Sequence, residues 1–225
     1  MKQKTSNTRR NFISAMAMGV TASSLSILTN PIYANDARFF PTQLDDADAW
    51  FKKIKGRHRI VYDGASPNNG FPIIWNWAFY ATNNETGSKD QDITAMTVFR
   101  HSAIGLAFND AIWEKYALGT ALKITDVITQ KPSLRNPYYE PKTGDFPLPI
   151  IDGIKKLQER GALFCACDLA TKKFTQTLAM KMNLSPADVY TDWISNLLPG
   201  IQLVPSGVWA LGRAQENGCG YIYAG

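Results

Sequence analysis

The chain has 225 residues, 45% hydrophobic and 19% charged, which suits one domain with a sizeable core; it holds no internal repeat and no low-complexity segment. Its formal charge of +5 comes from 24 Lys and Arg against 19 Asp and Glu, but Lys2, Lys4, Arg9 and Arg10 crowd the first ten residues with no acid among them. Without those four the balance is 20 against 19, so the pI near 9.0 makes no case for nucleic acid. Three cysteines are too few for a disulfide framework.

The pair Arg9-Arg10, after Asn7-Thr8 and before Asn11-Phe12-Ile13, resembles the twin-arginine export signal, Ser/Thr-Arg-Arg-x-Phe-Leu/Ile. The weakly apolar Ala15–Thr29 that follows is shorter than the roughly 20 residues of a membrane-spanning helix. Ile32-Tyr33-Ala34 offers a small residue for cleavage. The expected organisation is a signal peptide at 1–34 and a single mature domain at 35–225, periplasmic or otherwise exported, with no membrane insertion after cleavage.

Asp45, Asp46 and Asp48 precede Ala49-Trp50-Phe51 and then Lys52, Lys53 and Lys55, a charge order that suits a short helix aligned with its dipole. Arg59–Asp63 reads as a first strand, broken by Gly64 and a loop to Gly70. Phe71–Thr82, with Pro72 in its first turn, reads as a helix apolar nearly all round, to be buried or covered by a partner chain. The Gly-containing loop before it lacks a glycine fingerprint and is read as a turn, in preference to an anion cradle. Ile93–Phe99 is a second strand, ending in Arg100-His101-Ser102, and Ala103–Leu118 is expected as one helix closed by Gly119.

Thr120–Pro149 breaks the rhythm with five of the twelve prolines and the aromatic pair Tyr138-Tyr139. It is expected to be an ordered insertion covering a crevice or a neighbouring subunit. The alternation then resumes. A helix around Ile154–Leu157 ends at Arg160-Gly161, and Leu163–Cys167 is a third strand. Asp168 is expected to cap a helix through Met182, and Ser185-Pro186 starts another. Ile201–Val204, Val208–Asn217 and Gly220–Ala224 complete the pattern as strand, helix and strand. Five strands with intervening helices predict a three-layer α/β/α sandwich around a mainly parallel sheet.

Gly161-Ala162-Leu163-Phe164-Cys165-Ala166-Cys167, Leu198-Pro199-Gly200 through Gly207-Val208, and Ala214–Gly218 together resemble the DsrE/DsrF-like family. Arg100–Ala103 through Asn109–Trp113 looks like its exported branch. The resemblance covers most of residues 59–225. It implies a five-stranded parallel sheet, frequent homo-oligomers, and a cysteine after the third strand that carries a persulfide in sulfur relay; Cys167 is the matching position.

Read from the residues themselves, Cys167 ends a strand at a helix start, where ligands and nucleophiles sit in open α/β sheets. The helix N-terminus favours its thiolate, and the neighbouring Asp168 opposes it. Cys165 and Cys167, two apart on one strand and facing the same way, are poorly placed for a disulfide. Cys165 and Cys219 are read as packing residues. His101 and Arg100, just past the second strand, share the edge of Cys167 and could stabilise an anion there, and Ser206 is a pocket-lining turn residue on that edge.

No metal site and no cofactor are expected, since no close His/Cys spacing of the zinc kind is present. Two functions follow: an exported sulfur carrier or sulfurtransferase-like protein using Cys167, with a sulfur-relay or redox protein as partner, or a non-catalytic exported binding module for a small ligand or metal that acts as an oligomer. No nucleic-acid partner is expected in either.

Overall fold

The structure, a computed structural model, describes residues 47–225; the signal expected at 1–34 lies outside the described residues. Five strands form one all-parallel sheet: β1 (His58–Gly64), β2 (Ile93–Phe99), β3 (Leu163–Cys167), β4 (Gln202–Val204) and β5 (Gly220–Tyr223), in the order β4-β3-β2-β1-β5. The helices are α1 (Ala47–Trp50), α2 (Phe71–Glu85), α3 (Asp110–Lys115), α4 (Leu118–Leu122), α5 (Ile154–Arg160), α6 (Asp168–Met182), α7 (Pro186–Ser195) and α8 (Gly207–Glu216). The architecture is the three-layer α/β/α sandwich that the alternation predicts.

Strand order decides which face each helix covers. From β1 to β4 the chain steps one way across the sheet, and right-handed crossovers then put the connecting helices on one face. The step from β4 to β5 runs back past β1, so α8 must lie on the other face. The two cores follow this division. Ile73, Tyr80, Leu157, Phe164, Leu178 and Trp193 belong to one, and Val61, Met96, Val98, Cys165, Ala210 and Leu211 to the other. Both faces are thus covered, which is why all seven residues of β2 are buried and its sequence shows no polar alternation.

Three local expectations need correction. Ala103–Leu118 is not one helix: His101–Ala107 is a 3-10 segment, Phe108 is extended and bridges to Leu197, and α3 begins only after Asn109. The Asn109 side chain accepts from Ile112 N at 3.4 Å and so caps α3, while Ala117, at φ 49°, breaks the chain again before α4. Gly119 does not close a helix. It sits inside α4, where a Cβ would lie 2.2 Å from Ser133 O, so the glycine admits the backbone of the insertion.

The insertion itself is ordered, but it packs against the domain more than it covers the Cys167 crevice, to which only Ala121 contributes. Arg135 ties it internally, pairing with Asp126 at 2.9 Å and with both oxygens of Asp145 at 2.7 Å. Asn136, 3% exposed, donates to Leu106 O and Phe108 O, both at 2.9 Å, and fastens it to the 3-10 segment. Helix α2, expected to be buried nearly all round, keeps Ile73, Ile74 and Tyr80 inside and leaves Trp75 41% exposed.

Candidate functional site

The face change between α6 and α8 creates the site. Strand β3 hands its chain to a helix on one face, and its neighbour β4 hands its chain to a helix on the other, so the two loops diverge at the C-terminal ends of adjacent strands. In open parallel sheets such a divergence opens a crevice. Here it is a crevice of about 520 Å³ whose lining includes Cys167, Arg100, His101 and Ser206. The four residues singled out in the sequence therefore do meet, because each ends or follows one of three neighbouring strands, β2, β3 and β4, of one parallel sheet.

Cys167 is the N-cap of α6, a role expected for Asp168. Its Sγ accepts from Ala170 N at 3.3 Å, and the amides of Leu169 and of Gly207, the first residue of α8, also address it. One sulfur thus faces the positive ends of two helices. Even so, burial raises the Cys167 pKa above the ordinary thiol range; the amides of Ala170 and Gly207 pull it down, Asp168 pushes it up, and Leu169 N pulls it down again. The balance favours a thiol at neutral pH.

The opposition from Asp168 is muted by its surroundings. That carboxylate, 3% exposed, accepts from Tyr190 Oη at 2.5 Å and pairs with Lys172 Nζ at 2.7 Å. Tyr190, from α7, was not anticipated.

Arg100 is held as well. Its guanidinium makes a two-pronged pair with Asp63 at the end of β1, Nε to Oδ1 at 2.5 Å and Nη2 to Oδ2 at 2.9 Å, and Asp63 also accepts from Tyr221 Oη at 2.8 Å. The Asp63 contact is the chief reason the Arg100 pKa is raised. The stem of Arg100 lies against Gly207, where a Cβ would fall 2.6 Å from Arg100 Cβ. The arginine is therefore a wall that positions the start of α8 more than a free cation. Asp63 could have been found as the one acid of β1, following the apolar run Ile60-Val61-Tyr62.

His101 is exposed and has φ 50°, a region that a non-glycine residue seldom occupies. Ser206 lines the crevice, but its hydroxyl accepts from Trp209 N at 3.2 Å and caps α8. In the loop after β1 the amides of Ala65 and Ser66 both donate to Gly225 O, at 3.1 and 3.0 Å.

No family model matches the chain, and no curated protein matches it. Among solved structures, one similar chain is the protein of unknown function MTH1491 from Methanobacterium thermoautotrophicum. It is 15% identical, and the match covers 74% of this chain and 98% of that one at a TM-score of 0.37.

The cysteines have separate roles in packing. All three are buried and free. Cys165 packs in the core beneath α8, whereas Cys167, at the strand end, also packs into the core on the other face. Burial raises the pKa of Cys165, and that of Cys219 to about 11. Among the described residues no group of three or more His, Cys, Asp or Glu is placed to hold a metal ion.

Proposed function

We propose that this protein is an exported DsrE/DsrF-like sulfur carrier or sulfurtransferase-like protein that holds a persulfide on Cys167. The observation that carries the reading is the position of the Cys167 sulfur, which borders an open crevice, accepts from Ala170 N at the start of α6 and has the Gly207 amide at the start of α8 acting on it as well. A persulfide is a stronger acid than the thiol it forms on, so amides that do not ionise the resting thiol favour an anionic persulfide in the same place.

Loading needs a donor with sulfane sulfur, such as an organic persulfide or an inorganic polysulfide. The Cys167 thiolate attacks the terminal sulfur; an Sγ–S bond forms, the donor's S–S bond breaks, and the donor leaves as a thiolate, or as a polysulfide or sulfide one sulfur shorter. No outside oxidant is consumed. His101, exposed beside the crevice, is the imidazole available to take the thiol proton. Discharge is the same exchange run toward the thiolate of a relay or redox partner protein. Export by the twin-arginine route and assembly as a homo-oligomer belong to this reading.

Mass spectrometry tests it. After exposure to polysulfide the intact chain gains about 32 Da, the mass of one sulfur, and the adduct maps to Cys167. An unmodified chain, or an adduct spread over Cys165 and Cys219, refutes it. The second reading, a non-catalytic binding module, draws support from the size and apolar walls of the crevice. It predicts ligand binding with no sulfur loading.

A further inference from the structure

The crevice extends well beyond the sulfur. Leu169, Lys173, Thr177 and Lys181, spaced by four along α6, all line it, with Phe174 and Leu178 beside them. At a rise of about 1.5 Å per residue this ridge runs about 18 Å from Leu169 to Lys181. Val208 faces it from α8 and is 68% exposed, and Leu169 is 43% exposed at the mouth. Both therefore leave much of their apolar surface uncovered by the chain.

The charges around the crevice are one-sided. Arg100, His101, Lys173 and Lys181 line it, and no Asp or Glu does. Arg100 is neutralised by Asp63, whereas neither Lys173 nor Lys181 enters an ion pair among the described residues. The two free ammonium groups therefore sit on a long apolar wall that ends at the Cys167 sulfur.

We infer that the crevice binds a small elongated amphipathic anion, an organic acid whose apolar body lies along Leu169, Phe174 and Leu178, whose carboxylate or equivalent acid group meets Lys181, and whose other end points to Cys167. Helix side chains lean toward the N-terminus, so Lys181 reaches back over the wall toward the ligand. A volume of about 520 Å³ is within the usual range for small-molecule sites. Binding of this kind needs no reaction at Cys167. It goes beyond the carrier reading and, where both hold, makes the donor or acceptor a small acid with an apolar chain.

Calorimetric titration of the purified chain with decanoate, decanol and butyrate tests the inference. Decanoate is expected to bind at least tenfold more tightly than decanol, which lacks the charge, and than butyrate, which lacks the chain. Lys181→Ala should weaken decanoate about five- to tenfold and leave decanol unchanged. Thr177→Trp, at an exposed position on the ridge, should fill the crevice and abolish decanoate binding while thermal unfolding stays cooperative. No decanoate binding, equal affinity for decanoate and decanol, or an unaltered affinity in Lys181→Ala overturns the inference. Polysulfide loading is scored on the same preparation. A chain that loads sulfur but binds no decanoate keeps the carrier reading and loses this one, and a chain that binds decanoate without loading does the reverse.

Discussion

Gly207→Ala should make Cys167 a weaker acid. The added methyl carbon would sit 2.6 Å from Arg100 Cβ and 2.9 Å from Arg100 Cδ, against an optimal carbon–carbon separation of about 3.5–4.0 Å. Arg100 cannot yield easily, because its Cβ is fixed to the backbone and its head is clamped by Asp63 at 2.5 and 2.9 Å. The start of α8 must therefore move by about 1 Å. That draws the Gly207 amide off the sulfur.

A hydrogen bond to a charged group contributes about 1.5–3 kcal/mol, which converts at 1.36 kcal/mol per unit to a rise of about one to two pKa units. The sign is fixed: losing a donor to the anion raises the pKa, so at any pH below it the thiolate fraction falls about tenfold per unit. The assay is the pH dependence of Cys167 alkylation by iodoacetamide, followed by peptide mass spectrometry. Gly212→Ala, on the same helix with nothing within 4 Å of the new carbon, is the control, and it should stabilise α8 by about 1 kcal/mol without moving the alkylation profile. An unchanged midpoint in a folded Gly207→Ala protein would refute the two-helix account of the site.

Other consequences are more local. Asp63→Asn puts an amide against the Nε–H and Nη2–H donors of Arg100, whose side chain is only 26% exposed; a loss of about 2–3 kcal/mol is expected, somewhat below the 3–5 of a fully buried pair, measurable as a lower urea midpoint. Asn136→Ala removes two donors from buried carbonyls and should cost about 2–4 kcal/mol, with faster amide exchange at Tyr138, whose N–H donates to Asn136 Oδ1 at 3.1 Å. Cys219 is held to about 11 in the fold, above its unfolded value, so its thiol releases a proton more readily when unfolded. Stability should therefore fall as pH rises from about 9 to 11, and Cys219→Ala should flatten that fall by about 2–3 kcal/mol in denaturant titrations.

The five strands were readable because each is a short apolar or β-branched run, four of them with Gly or Pro close to an end, and a parallel sheet alone puts Cys167, Arg100, His101 and Ser206 on one edge. Strand order was not readable, and it is what opens the crevice: only the reversal between β4 and β5 sets α6 and α8 on opposite faces with both starts at one sulfur. The breaks within residues 101–122 were hidden because the apolar spacings there suit a helix, whereas the interruption comes from the bridge of Phe108 to the distant Leu197. Asp168 was misjudged for the same reason. Its cation partner Lys172 is only four residues on, but its hydrogen-bond donor Tyr190 lies 22 residues on, in a different helix, where no local pattern announces it. Lys173 was visible near the cysteine, but its placement with Lys181 on one ridge of the crevice depends on the rotational setting of α6.

The most direct test of the central claim is release of the carried sulfur. Polysulfide-treated protein, freed of small molecules and then given cyanide, should yield about one thiocyanate per chain, and Cys167→Ser should yield none while unfolding at a similar temperature. Equal thiocyanate from Cys167→Ser, or none from the unaltered chain, would contradict the assignment of Cys167 as the sulfur-carrying residue.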